Sequence, residues 1–105
     1  MKISKIALIL FSFLIASACT WVKVEPKAEA VRVASQEQVL NCKKVGSTTV
    51  SVKAEVATIA RDPKVIKQEL ATLARNSAVN LQGNVVVPVS KVDKGTQIFA
   101  IYACP

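Results

Sequence analysis

The chain has 105 residues, of which 14 are lysine or arginine, seven are aspartate or glutamate and none is histidine, so its net charge at pH 7 is +7. This length accommodates one small domain beside a targeting segment. The lack of histidine removes the commonest general base, metal ligand and pH switch. The chain has only three glycines and no glycine-rich loop of the kind that binds phosphates.

The first eighteen residues resemble a tripartite export signal. Lys2 and Lys5 provide a positive start, residues 6–15 form an almost unbroken apolar run, and residues 16–18 are small. The run is too short to span a membrane, which takes roughly 20 apolar residues. We therefore expect residues 1–18 to be a lipoprotein signal peptide, and the remaining chain to carry twelve basic and seven acidic residues.

The end of this signal resembles a bacterial lipobox, with Ile-Ala-Ser-Ala-Cys at residues 15–19. The resemblance implies a lipid on Cys19, and acyl chains there would hold the protein stably on a membrane. Ala16 and Ala18 would equally suit ordinary signal peptidase, which would leave a soluble secreted protein with a free thiol. An exposed unpaired thiol is unfavourable in an exported protein, so the lipid is favoured. Thr20 is not the aspartate of inner-membrane retention, and similarity to enteric-type sorting implies the periplasmic face of the outer membrane.

The other two cysteines are expected to form a disulfide. If Cys19 is lipidated, Cys42 and Cys104 remain to pair in the oxidising periplasm. Their wide separation is typical of a structural bond and not of a CxxC redox site. Such a bond would stabilise a domain that is too small to bury a large core.

The mature chain begins with a predicted lipidated N-terminus and tether at residues 19–30. This segment contains charges and a proline but no sustained hydrophobic period. A periplasmic α+β domain is predicted for residues 31–105. Its first elements are a short strand at 31–34 and a capping box at 35–38, which opens one helical turn.

The middle of the domain predicts a strand and a helix. Residues 48–56 alternate apolar and polar side chains, as in a half-buried strand. Asp62 is a suitable N-cap and Pro63 a suitable first helical residue, and Gly83 is expected to end the helix. The predicted apolar stripe of this helix comprises Ile66, Leu70, Leu73, Ala74, Ala78 and Leu81.

Two final strands complete the predicted fold. Residues 84–90 are apolar on both faces, and Pro88 indicates an edge or a bulge. Residues 93–95, Asp-Lys-Gly, predict a turn before a strand at 97–104. The predicted class is α+β: a small βαββ-type two-layer sandwich with one amphipathic helix on a three- to four-stranded sheet and one disulfide.

The sequence predicts no catalytic, cofactor-binding or metal site and no cofactor. Lys43 and Lys44 are either an anion-binding pair or a solvated strand edge, and the edge is favoured. Arg75, Asn76 and Asn80 either face a partner or are ordinary solvent-side polar residues, with a helix-end hydrogen bond as a further alternative for Asn80. The interpretation without a partner is favoured. The exported compartment disfavours nucleic acid as a partner. The seven carboxylates occur singly along the chain: Glu25, Glu29, Glu37, Glu55, Asp62, Glu69 and Asp93.

Six separated blocks occur in order at residues 19–22, 31–33, 46–52, 69–78, 86–90 and 99–104. Together they resemble a bacterial lipoprotein family known only as domain of unknown function 4156, a resemblance that implies no activity. A remoter similarity, in strand–helix–strand–strand order and the cysteine pair, is to the outer-membrane lipoprotein that senses envelope stress for the Rcs phosphorelay. That sensor has a long proline-rich tether and more than one disulfide, so its long-reach mechanism is not implied.

The expected function is that of a non-enzymatic envelope lipoprotein. Its periplasmic domain would bind or monitor another envelope component, with the membrane contacted through the N-terminal lipid and an unidentified envelope protein as partner. The alternative is a structural or assembly-accessory lipoprotein without a switching role. A secreted enzyme would need cleavage without lipid and an active site that the sequence does not indicate.

Overall fold

The computed structural model describes residues 22–56 and 59–105, so the predicted signal peptide and Cys19 lie outside the described residues. No helix within these ranges is long and apolar enough to cross a membrane. Two 3-10 helices occupy Pro26–Ala30 and Gln36–Val39. The remaining elements are β1 (Arg32–Val33), β2 (Lys43–Ser51), β3 (Glu55–Val56), β4 (Ile59–Ala60), α1 (Pro63–Asn80), β5 (Val85–Pro88) and β6 (Thr96–Ala103).

Four strands form one mixed sheet in the order β1-β5-β6-β2. The β5–β6 and β6–β2 pairs are antiparallel, whereas β1 runs parallel to β5, with Arg32 opposite Val85. Helix α1 packs against one face of this sheet. The predicted α+β class, with one helix on a four-stranded sheet, is therefore confirmed. The separate antiparallel hairpin β3–β4 is an element that the sequence did not predict.

The main core lies between α1 and the sheet. Of the predicted helical stripe, Ile66, Leu70, Ala74 and Ala78 are buried and Leu73 is partly buried, whereas Leu81 is exposed. Leu81 differs because the helix ends at Asn80 and Leu81 is already its C-cap. The sheet and the residue before β1 contribute Val31, Val50, Val86, Phe99 and Ile101 to this cluster.

A second, smaller cluster covers the opposite face of the sheet. Residues 34–42, here called the cover segment, place Ala34 and Val39 against Val85 and Val87. The predicted capping box is present, because the Ser35 N–H donates to Gln38 Oε1 at 3.0 Å. The pKa of the Glu37 carboxyl within this turn lies below its ordinary value, because its own backbone N–H and the Ser35 hydroxyl stabilise the carboxylate.

The predicted disulfide is present and ties the end of the cover segment to the end of β6. Cys42 and Cys104 are joined at an S–S distance of 2.07 Å, with their Cα atoms 4.5 Å apart. The Cys104 N–H donates to Asn84 Oδ1 at 2.8 Å, and the Asn84 side-chain amide donates to the Cys104 carbonyl at 2.9 Å. The disulfide therefore joins two segments that are already held against the sheet by hydrogen bonds and apolar contacts.

The long strand begins and ends earlier than predicted. The sequence placed it at residues 48–56, but β2 spans Lys43–Ser51 and pairs with β6 from Ala103 back to Thr96. Beyond Ser51 the partner strand has turned away at Gly95, whose φ is +75°. The alternating sequence pattern that led to the longer prediction covers two strands. After β2 ends at Ser51, Glu55 and Val56 form the first strand of the β3–β4 hairpin.

The helix begins as predicted but ends by a different device. Asp62 Oδ1 accepts the Lys64 N–H at 2.9 Å, and Pro63 occupies the first turn. At the other end Gln82, and not Gly83, adopts the left-handed conformation, with φ of 58°. Gly83 is required for close approach, because a Cβ built there lies 2.3 Å from Ile101 Cγ2.

Substituting Gly83→Ala should reduce the free energy of unfolding by about 1–3 kcal/mol, because the new methyl group must displace the fully buried Ile101. Gly46→Ala is the matched control. Its Cβ would meet only the exposed Leu81 side chain, at 2.9 Å, and its effect should stay within about 0.5 kcal/mol. Urea denaturation followed by circular dichroism measures both. Equal effects at the two positions would contradict this account of Gly83.

Replacing both Cys42 and Cys104 by alanine should destabilise the domain by about 4 kcal/mol in the loop-entropy model, because the bond closes a loop with a sequence separation of 62. Oxidised and reduced wild-type protein, unfolded in urea, provide an independent comparison. Reduction and double substitution should lower stability by similar amounts. A loss below about 1 kcal/mol would show that the cover segment holds its position without the bond.

Candidate binding surfaces

The described residues do not bring together a group of side chains that could hold a metal ion. No three of their histidine, cysteine, aspartate and glutamate side chains come close enough together to hold a metal ion. The two cysteines described are consumed by the disulfide. Several surface features of the described residues could bind another molecule.

The first such feature is an N-terminal strap, defined here as residues 23–31, which packs along α1. Arg75 donates from Nε to the Val31 carbonyl at 2.7 Å, and from Nη2 to the carbonyls of Ala28 at 3.0 Å and Glu29 at 3.1 Å. These carbonyls lie at the end of the first 3-10 helix, where the Ala28 carbonyl also accepts the Val31 N–H at 3.0 Å. A guanidinium with several donors suits this cluster of acceptors.

Asn76 holds the beginning of the strap. Its Oδ1 accepts the Glu25 N–H at 3.0 Å, and its Nδ2 donates to the Lys23 carbonyl at 2.8 Å. Ala28, a residue of the strap itself, is fully buried. Reading Arg75 and Asn76 as solvent-side polar residues was therefore wrong, because both bind backbone that lies about 44 to 53 positions away in the chain. Asn80 is exposed, as expected.

The β3–β4 hairpin forms a second feature, fastened to α1 by Arg61. The Arg61 guanidinium donates to both carboxylate oxygens of Glu69, from Nη1 to Oε2 at 3.3 Å and from Nη2 to Oε1. Nη1 also donates to the Lys53 carbonyl at 2.9 Å, and the Arg61 N–H donates to the Ala54 carbonyl at 3.0 Å. These bonds fix the hairpin against the first half of the helix.

The fixed hairpin presents apolar side chains to solvent. Ile59 is 72% exposed, Val56 43% and Val65, at the start of α1, 40%. These three residues, here called the hairpin surface, border a shallow depression of about 480 Å³ together with Ala60, Arg61 and Asp62. Apolar residues grouped at one exposed position are typical of a contact with another apolar surface.

Two further depressions lie on either side of the exposed Lys67 of α1. One, of about 380 Å³, is lined by Pro63, Ile66 and Val92. The other, of about 300 Å³, lies beside β1 and β5, and its lining residues are Val33, Gln68, Ala71, Pro88, Gln97 and Phe99. Both are shallow, and Gln97 already donates from its buried amide to the Ser90 carbonyl at 3.0 Å.

The outer edge of β2 is the third feature. This nine-residue strand lies at one end of the four-stranded sheet, and within the described residues no strand pairs with its outer side. Lys43 and Lys44 are exposed at its start, in agreement with a solvated edge, and a β-bulge separates Lys44 from Gly46. Thr49 lies opposite Ile98, on the face of the sheet away from α1.

The structure gives different outcomes for the site residues expected from the sequence. Cys42 and Cys104 are joined as predicted, whereas Cys19 lies outside the described residues and its lipidation stays a prediction. Sequence reasoning missed the strap contacts and the hairpin surface. The only local signal for the hairpin was Ile59, an apolar residue without a place in either the predicted strand or the predicted helix.

The described residues form a small α+β domain with one disulfide and with apolar side chains exposed on the β3–β4 hairpin. The family model for Domain of unknown function (DUF4156) matches residues 22–104, so the chain belongs to this family. No curated protein and no solved structure is significantly similar to it.

Substituting Arg75→Ala should release the strap without unfolding the domain. Loss of the three bonds should weaken local protection by about 2 kcal/mol, which corresponds to roughly 30-fold faster exchange of the Ala28 and Val31 amide hydrogens. Hydrogen exchange followed by mass spectrometry measures this change. Asn80→Ala, at an exposed position on the same helix, is the control and should leave exchange unchanged. Equal exchange in both variants would rule out the clamping role of Arg75.

Proposed function

We propose that this DUF4156 protein is a non-enzymatic lipoprotein of the bacterial envelope. In this proposal signal peptidase removes residues 1–18, Cys19 carries the lipid, and the domain lies at the periplasmic face of the outer membrane. The export signal and the lipobox-like sequence support the anchor. A disulfide between Cys42 and Cys104 fits an oxidising compartment such as the periplasm.

The domain itself binds or monitors another envelope component through the outer edge of β2. The observation that carries this proposal is a long sheet edge without a partner strand in the described part of the chain. Such an edge presents backbone donors and acceptors that an extended segment of another protein can satisfy by adding a strand. The bulge and the lysines make the beginning of the edge unfavourable for an added strand. Residues 47–51 are the regular part of the edge, where such a strand could pair.

The surroundings of this edge indicate what kind of segment it would accept. Val50 is buried toward α1, whereas Ser47 and Thr49 lie opposite Ala100 and Ile98 of β6 on the other face. Ile98 is exposed there, so an added strand with apolar side chains on that face would extend an existing apolar patch. Lys43 and Lys44 at one end favour a segment with acidic residues at the matching end.

The alternative is a structural or assembly-accessory lipoprotein without a switching role. The remote similarity to a stress-sensing lipoprotein supports monitoring. The strap would limit how far from the membrane such a monitoring domain could reach. With residues 23–31 bound to α1, the domain stays close to its anchor, so monitoring would depend on components near the membrane. An accessory protein would use the same anchor without any partner-dependent change.

The anchor is tested by Cys19→Ala. Wild-type protein should be found with membranes and should incorporate labelled palmitate, because acylation provides the attachment. The variant should lose the label and move to the soluble periplasmic fraction. A Ser17→Thr variant, which leaves the cysteine in place, serves as a processing control. Retention of the Cys19→Ala protein in membranes would refute lipid anchoring through this residue.

The binding edge is tested by photocrosslinking in cells. A photoreactive residue at Thr49 should capture one envelope protein reproducibly, because this position lies on the proposed edge. The same residue at the exposed Gln68 of α1 is the control and should not capture that protein. If Thr49 captures no protein reproducibly, or if both positions give the same abundant proteins, the β2 edge is not the binding site and the accessory role is favoured.

A further inference from the structure

The hairpin surface and the start of the strap lie on the same side of α1. Val65 belongs to the hairpin surface, and Asn76 binds the first residues of the strap. Between them lies Thr72, and the separations of seven and four residues place all three side chains along one face of a helix. This face points away from the sheet, because the buried side chains of α1 are Ile66, Leu70, Ala74 and Ala78.

The two positions are also close together along the helix axis. Eleven residues separate Val65 from Asn76, which corresponds to about 16 Å of helix. The chain between Cys19 and Lys23 comprises four residue steps, which reach at most about 14 Å. A lipid on Cys19 would therefore hold the start of the strap, where Asn76 of α1 binds the Lys23 carbonyl, within about 14 Å of the lipid headgroups.

The hairpin surface has the composition needed to contact such a membrane. Its most exposed member, Ile59, has nearly three quarters of its surface in solvent, with Val56 and Val65 beside it. The charged residues at its border are balanced, with Lys53 and Lys64 against Glu55 and Asp62, while the Arg61 and Glu69 charges are paired with each other. An anionic membrane surface would therefore not repel it.

We propose that the hairpin surface is a second membrane contact, which inserts Ile59 and its neighbours into the headgroup region of the leaflet that holds the lipid anchor. This inference rests on the proposed lipid anchor at Cys19. The anchor and the hairpin together make two points of attachment along α1, so the helix lies along the membrane. The opposite face of the sheet, with the cover segment, then points into the periplasm.

Hydrogen bonds and an ion pair to α1 hold both attachment points in place. Asn76 and Arg75 bind the strap at one point, and the Arg61–Glu69 ion pair fixes the hairpin at the other. The strap and the hairpin cannot separate from α1 without breaking these bonds. A lipid surface is favoured over a protein as the occupant because the short chain between Cys19 and the strap brings the leaflet to this face of the domain.

Tryptophan fluorescence in vesicles tests the proposal with the full lipidated chain. In a Trp21→Phe background, which removes the one native tryptophan, Ile59→Trp places a reporter on the hairpin surface. Leu40→Trp is the matched control, because Leu40 is 81% exposed but belongs to the cover segment on the far face of the sheet. Both proteins are reconstituted in vesicles of phosphatidylethanolamine and phosphatidylglycerol that contain brominated acyl chains, which quench tryptophan on contact.

The Ile59→Trp protein should lose most of its emission relative to unbrominated vesicles and shift its spectrum to shorter wavelength, while the Leu40→Trp protein should change in neither respect. Val56→Trp, at a second position on the hairpin surface, should behave like Ile59→Trp. Co-flotation with the vesicles reports the anchor separately. If the proteins do not float with the vesicles, the lipid anchor fails and this inference fails with it.

If the proteins float but neither hairpin reporter is quenched, the membrane contact alone is overturned and the anchor stands. In that case the hairpin surface would be a docking site for a protein or for a second copy of the chain. Equal quenching of the Leu40→Trp and Ile59→Trp reporters would also overturn the proposal, because it would show that the domain has no fixed orientation on the membrane.

Discussion

The structure depends on burying strand β5 from both sides. Val85, Val86 and Val87 are all almost completely buried, although successive side chains of a strand point to opposite faces of the sheet. The sheet therefore needs an apolar cover on each face. Helix α1 provides one cover and meets Val86, and the cover segment provides the other and meets Val85 and Val87.

The two covers differ in how they are held. Helix α1 contributes a long apolar stripe and is stabilised largely by packing. The cover segment has only a short 3-10 helix and two buried side chains, Ala34 and Val39, which is little apolar area for its length. The disulfide compensates by restricting the unfolded chain. This explains why a domain of this size places its one described disulfide on the face without an α-helix.

Most of the fold could be predicted because its signals are local. The N-cap at Asp62, the alternation in β2 and the turn at Gly95 each depend on residues within a few positions of one another. The strap and hairpin contacts could not be predicted in this way. Arg75 binds the Val31 carbonyl 44 positions away. Every residue has a backbone carbonyl, so the sequence does not show which one accepts a hydrogen bond from a distant side chain. An arginine that binds backbone and one that faces solvent have the same helical spacing.

If Cys19 carries the proposed lipid, the strap limits how far the domain can lie from the membrane. A released segment between Cys19 and β1 could extend about 45 Å, whereas the clamped strap leaves only about 14 Å before its first bound residue. Arg75 and Asn76 therefore decide the distance over which the domain can act. Because two side chains set this distance, the proposed envelope partner would lie near the membrane and not in a distant layer of the envelope.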